Sequence, residues 1–430
     1  MEDIFFPRKL YPSLKREVKN RNIVVITGSR QVGKTTLLRK LEEDFKQEGR
    51  STIFLDLDLV ENLEYFERLE SFLNFLRLNG LDPDKKCIVF IDEFQHAPDS
   101  SRILKNLYDH FPNLKVYVSG SSSLEMASHL RESLAGRKSL YHLHPLSFEE
   151  FLVFKRAKKF LKYLENWKPG INLSQSESEH FWHLLEEFLI FGGYPKVVLQ
   201  KTRNERIKEI KEIYDSYIKK DIKGFLKIDK ILQYNKLIEI LAINLGNLVN
   251  LNRISSELSI SRDLLKSYLF LLEETFVIKP IRPFFRNKKK EIIKMPKIYF
   301  EDLGMRNLAI NNFNPLRQRD DSGSILENYI LNEILKANMV LFDLKFWRKK
   351  IGTEVDFILS RDAQIFPIEA KYQRFTKGSI PSGLRGFIKE YHPKKALVVN
   401  KNFSQIERFN TSEVEFVPSY FFSRTEVLRS

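Results

Sequence analysis

Residues Gly28-Ser29-Arg30-Gln31-Val32-Gly33-Lys34-Thr35-Thr36 have the types and spacing to hold a chain of phosphates. Two glycines five apart free the backbone to turn successive N–H groups around one anion. Lys34 would bridge the β and γ phosphates, and the Thr35 hydroxyl would ligate Mg²⁺. The expected ligands are therefore ATP and Mg²⁺. Downstream, Cys87-Ile-Val-Phe-Ile-Asp92-Glu93 ends an apolar run in two acids. Asp92 would hold Mg²⁺ through water, and Glu93 would polarise the water that attacks the γ-phosphate. Lys34 and Glu93 are thus catalytic candidates, with Gly28 through Thr36 and Asp92 around the nucleotide. A third set, Glu327, Asp356, Glu369 and Lys371, lies far along the chain. Glu369 and Lys371 are two apart on one strand, so both point to the same face. Asp356 falls on the strand before, joined to it by a short connection.

These side chains need elements to aim them. Asn22–Thr27 reads as a strand, and Leu37, Leu38, Leu41 and Phe45 mark the helix that follows the glycine loop. The N-terminus of that helix adds its partial positive charge at the phosphates. Strands at Thr52–Asp56 and Cys87–Asp92 complete a βαβ alternation, which implies a parallel sheet with ligands at its carboxyl end. A fourth strand, Leu114–Ser119, runs into Gly120-Ser121-Ser122-Ser123, so Ser119 or Ser121 would sense the γ-phosphate. A helix from Leu124 to about Leu134 leads to Gly136. Arg131 and Arg137 lie where a ring-forming ATPase presents an arginine finger to its neighbour, so a homo-oligomer is a possible partner state. The single cysteine, Cys87, excludes intrachain disulfides and thiolate zinc clusters and reads as a small buried hydrophobe.

The middle of the chain is basic. The whole carries +15, and residues 201–300 hold 22 Lys and Arg against 12 Asp and Glu, about two thirds of the excess. Such a concentration suggests a polyanion, and DNA is the expected partner. Helices at Glu149–Leu164, Ser178–Phe191 and Asn204–Ile222, interrupted at Gly192-Gly193-Tyr194-Pro195, suggest a lid. Helices at Asn252–Leu258 and Arg262–Glu274, with Ser261 as N-cap, form a helix-turn-helix. Its second helix turns Leu264, Leu265, Tyr268, Leu269 and Leu272 inward and Arg262, Lys266 and Ser267 outward. Strands Phe276–Pro280 and Lys297–Phe300 then flank a wing with Lys288, Lys289 and Lys290. DNA contact is expected from Arg262, Lys266 and these three wing lysines. Charged residues from Glu2 to Lys19 argue against a signal peptide, and no uncharged apolar run approaches the roughly 20 residues of a membrane helix. No membrane association and a cytoplasmic location are expected.

With GSRQVGKTT, IVFIDEFQ, the serine-rich strand end, SLAGRKSLYHLHPLSFEEFL and FGGYPKV in order, the chain resembles AAA+-like ATPases of archaea and bacteria. These carry a characteristic C-terminal domain of unknown function. The helix Glu327, the strand Asp356 and Glu369-x-Lys371 further resemble the restriction-endonuclease-like fold. That resemblance implies Asp356, Glu369 and the Ala370 carbonyl as Mg²⁺ ligands, Glu327 as an outer ligand and Lys371 as a catalytic electrostatic partner. The expected fold class is α/β. A P-loop ATPase core with a parallel sheet spans 1–147, a helical lid 148–235, a winged helix 236–300, and a C-terminal α/β restriction-endonuclease-like domain 301–430.

Overall fold

Four short runs with β-branched residues that end in a polar residue or glycine, and a fifth strand without any, build the first sheet. The computed structural model describes residues 5–97, 100–120, 134–222, 228–285, 295–337, 342–349, 352–362 and 364–429. The first strands are β1 (Ile23–Thr27), β2 (Ser51–Asp56), β3 (Cys87–Asp92), β4 (Leu114–Gly120) and β5 (Lys138–His142). They lie in the order β2-β3-β4-β1-β5, all parallel. β3 and β4 are buried along their whole length, which is why they read as continuous apolar runs rather than alternations. Helix Lys34–Gln47 buries Leu37, Leu38, Leu41 and Phe45. The Phe45 ring packs on Phe90 and Tyr117. Each fully buried leucine or phenylalanine contributes on the order of 2 kcal/mol here.

The chain divides into two compact units. The first holds residues 1–145 with 216–224 and 270–277; the second holds 146–215, 225–269 and 278–430. The second begins as helices. Ser147 and Glu150 form a capping box that opens helix Phe148–Phe154. Arg156, at φ +54°, ends that turn, so the expected single helix is two, with Lys158–Asn166 as the other. The Ala157 N–H closes on the Leu152 carbonyl, a terminating bond that the sequence does not signal because no glycine stands there. Helices Gln175–Phe191 and Arg203–Tyr217 follow, and the latter runs into a π-helical turn, Ile218–Ile222.

Eight more strands form one sheet: β6 (Ile278–Pro283), β7 (Lys297–Phe300), β8 (Asp343–Arg348), β9 (Glu354–Arg361), β10 (Gln364–Ala370), β11 (Lys395–Asn400), β12 (Gln405–Phe409) and β13 (Ser412–Pro418). Their order is β12-β13-β11-β10-β9-β8-β6-β7. The expected boundary at residue 300 therefore runs through a sheet. β6 and β7 pair antiparallel as a wing should, but β6 also pairs with β8, at Arg282 opposite Lys345 and Pro283 opposite Phe346. The free edge of the hairpin is satisfied by the strands that follow it, so the hairpin belongs to the C-terminal sheet. Lys288, Lys289 and Lys290 lie outside the described residues, as do Arg131 and Ser121.

Candidate functional site

The glycine loop is held from behind. Gly28 sits at φ +151°, and a Cβ there would lie 2.3 Å from the Leu143 carbonyl oxygen; Gly33 caps the helix at φ +98°. Gln31 also takes a positive φ, +62°, though it is no glycine. Ser29 and Val32 are buried, Arg30 is half-buried and Thr36 is exposed on the first turn of the helix. Lys34 is 5% exposed and donates to the carbonyls of Gly28 and Ser29 at 3.0 Å each. Behind the loop stands Arg8. Its guanidinium donates 2.8 Å to the Val32 carbonyl and 2.7 Å to that of His144, tying the loop to the segment just after β5. Nothing in its spacing announces Arg8, which acts 24 residues upstream of the loop it braces.

Asp92, the last residue of β3, meets this loop through Thr35. Asp92, 1% exposed, accepts from the Ser119 hydroxyl of β4 and from the Thr35 hydroxyl. Burial pushes its carboxyl above the ordinary range; those two hydrogen bonds oppose the rise, while Glu93 and Asp56 add to it. Asp56 lies opposite Asp92 in the β2–β3 register. Glu93 adopts φ +53°, where a side chain other than glycine is strained, and its carboxylate accepts from Gln95. Arg137 pairs with Asp109 at 2.8 Å and 3.4 Å on the surface of the first unit.

In the second unit, the β9–β10 register puts Ile368 opposite Phe357, so Glu369 and Asp356 are the next facing pair and share a face. They converge. Asp356 accepts 2.7 Å from the Ala370 N–H, and Lys371 Nζ lies 2.6 Å from Glu369 Oε1. Glu327, on helix Ser322–Lys336, completes the set but faces a cation from a strand that flanks the expected wing. Lys297 of β7, 1% exposed, lies 3.0 Å from Glu327 and 3.4 Å from Glu354, and the Tyr299 hydroxyl donates to Glu327. Burial raises the Asp356 carboxyl well above its usual value, with Glu369 and Glu327 adding and Lys297 opposing. For Lys297, burial works to lower the pKa but Glu327, Asp356 and Glu354 win and raise it. Glu369 Oε2 is buried without a hydrogen-bond partner. Such an orphaned, hard oxygen beside Asp356 fits a divalent cation.

The helix-turn-helix also takes shape. Asn250 caps helix Leu251–Leu258, Ser259 turns at φ +52°, and Ser261 Oγ accepts 3.2 Å from the Leu264 N–H to start helix Arg262–Glu274. Arg262, Lys266 and Ser267 are exposed; Leu265, Tyr268 and Leu272 are buried, while Leu264 and Leu269 are half-buried. Lys266 pairs with Asp263 at 3.3 Å.

Against this geometry stand the known proteins. The family described as AAA domain matches residues 20–152. Two families described as domains of unknown function, DUF8612 and DUF4143, match 183–316 and 322–421. A protein of Methanocaldococcus jannaschii, described as uncharacterized, is 28% identical over 78% of this chain and 72% of its own. A Haemophilus influenzae protein, described likewise, is 25% identical over 90% of both chains. Among solved structures, the Walker-type ATPase of Pyrococcus abyssi is 16% identical with a TM-score of 0.45, over 72% of this chain and 97% of that one. At that score the likeness carries no argument. Residues 20–152, which match the AAA domain, hold the parallel sheet and its glycine loop. No described helix is long and apolar enough to cross a membrane.

Proposed function

We propose that the chain is a Mg²⁺-dependent ATPase that acts on DNA, with a metal-binding, nuclease-like site in its second unit. The observation that carries the ATPase reading is the joining of Thr35, Asp92 and Ser119 beneath the glycine loop. Two hydroxyls and a carboxylate are the hard oxygens Mg²⁺ takes, and they are already within hydrogen-bond reach of one another. When bound there, Mg²⁺ would neutralise charge developing between the β and γ phosphates. The chain does the rest. The Lys34 ammonium, now satisfied by two carbonyls, would turn to phosphate oxygens, the loop N–H groups would hold the same chain, and Glu93 would orient the attacking water. The exposed Arg262 and Lys266, and the net positive charge, support contact with DNA phosphates. ATP turnover measured with and without single-stranded and duplex DNA tests the reading, which requires DNA to change the rate.

For the second unit, Asp356, Glu369 and Glu327 would hold the cation, with Lys371 beside the reacting phosphate. A second reading has one observation in its favour. The Lys297 ammonium already lies among Glu327 and Glu354, so the cluster is partly neutralised by the chain itself. On that reading the protein is a nucleotide-dependent switch or scaffold whose C-terminal sheet does not cleave. Calorimetric titration with Mn²⁺ separates the two, because a site filled by Lys297 takes up no metal.

A further inference from the structure

The amino ends of β2, β3 and β4 border a basin of about 580 Å³, at the edge of the sheet opposite Lys34 and Asp92. Strands of five to seven residues set the two edges roughly 15–20 Å apart. Five cations line it, Lys19, Arg21, Arg50, Lys86 and Lys115, and among the described residues that line it there is no carboxylate.

The ordinary explanation is that basic residues gather where helices end, to offset the helix dipoles. Helices Lys34–Gln47 and Ser100–His110 do end here, and each C-terminus carries about half a negative charge. Glu48 adds one more, 3.3 Å from Arg50. Glu17, whose charge acts on Lys115, adds another, and five positive charges against about three leave an excess of roughly two, more than dipole compensation needs. Lys19 and Lys86 are exposed and form no ion pair among the described residues.

The basin is also built. Lys115, 7% exposed, donates 2.7 Å and 2.5 Å to the carbonyls of Asn20 and Asn22 and so fixes the segment that carries Lys19 and Arg21. Burial lowers its pKa to about 8, so it still adds positive charge at neutral pH. Ile88 and Leu114 are buried in the floor, and no aromatic ring lines the basin among the described residues. It offers charges and amides but nothing on which a base would stack.

We propose that this basin binds the phosphodiester backbone of DNA, without sequence preference, as a second contact separate from the nucleotide loop and from the Arg262 helix. The proposal rests on the DNA reading above but not on that helix. The test uses the full chain with Lys19→Ala, Arg50→Ala and Lys86→Ala together, leaving the packed Lys115 and Arg21 in place. Binding of two unrelated 30-base-pair duplexes is followed from 50 to 200 mM salt. Losing three phosphate contacts should flatten the slope of log K against log salt by about 2 to 3, equally for both duplexes. ATP binding should not change. If the triple variant loses its native melting transition, Lys86→Glu alone replaces it and should still weaken binding several-fold. Wild-type affinity and slope in a folded variant would overturn the basin, and so would loss of binding to phosphatidylserine vesicles with DNA binding intact. If Arg262→Ala with Lys266→Ala abolishes binding while the basin variant does not, the DNA reading stands and the basin falls.

Discussion

Both units bring carboxylates to the edge of a sheet, and they compensate them in opposite ways. Below the glycine loop, Asp92 is met by hydroxyls of Thr35 and Ser119, and Lys34 donates to two backbone carbonyls of the loop. Around Asp356, two ammonium groups reach into the acids directly, Lys297 to Glu327 and Glu354 and Lys371 to Glu369. The first arrangement leaves charge to be supplied by a ligand. The second supplies most of it from within. Motif completeness alone does not separate such sites; where the lysines point does.

The comparison can be broken at its acidic end first. Asp356→Ala should abolish Mg²⁺- or Mn²⁺-dependent DNA cleavage, a loss of at least about 10³-fold, while ATP turnover in the other unit stays at the wild-type rate. Cleavage that survives the substitution removes Asp356 from the chemistry. Next, Lys297→Met strips a buried ammonium from buried Asp356 and half-buried Glu327 and Glu354 and should destabilise by about 3–5 kcal/mol in urea unfolding. Millimolar Mg²⁺ should restore part of that loss if the cluster accepts a cation, and none of it if the cluster is only structural.

Glu415 of β13 offers a control away from both sites. Burial pushes its carboxyl up to about 7, with Lys395 of β11 opposing the rise and Glu413 and Glu426 adding to it. Folded Glu415 keeps its proton to higher pH than the unfolded chain does. Its stabilising contribution is therefore present below about 4.5 and lost as pH rises through 7, on the order of 3 kcal/mol in all. Glu415→Gln should flatten the fall in urea midpoint between pH 5 and pH 8, and an unchanged fall would remove Glu415 as its source. The smallest effect is expected from Arg8→Ala, which removes two charged hydrogen bonds from the back of the loop. About 1–3 kcal/mol should be lost, read as roughly tenfold weaker ATP binding with a lesser change in turnover; Arg8→Lys should recover part of it. An equal fall in both constants would argue that Arg8 does more than brace the loop.

What the sequence made legible follows from local rules. The glycine loop, the apolar strand ending in Asp92 and the shared face of Glu369 and Lys371 each depend on neighbours within a few residues, whereas the facing of Asp356 and Glu369 came only with the β9–β10 register. The capping of helix Arg262–Glu274 by Ser261 is equally local. β5 was missed because it lacks a buried face, its five residues being half-buried or exposed, so no alternation marks it. Arg8 and Lys297 were missed for a different reason. Their roles lie in contacts across 24 and 30 residues that no periodicity records. The break at Arg156 needed a positive φ at a residue that rarely adopts one.

The central claim is that the first unit binds ATP and hydrolyses it through separable residues. It is tested most directly by measuring ATP affinity and turnover in parallel on wild type, Lys34→Ala and Glu93→Gln. The account predicts that Lys34→Ala binds at least about 100-fold more weakly, because charged hydrogen bonds to phosphate are lost. It predicts that Glu93→Gln binds as wild type but turns over about 10²- to 10⁴-fold more slowly. Wild-type turnover in Lys34→Ala, or undiminished turnover in Glu93→Gln, would contradict it.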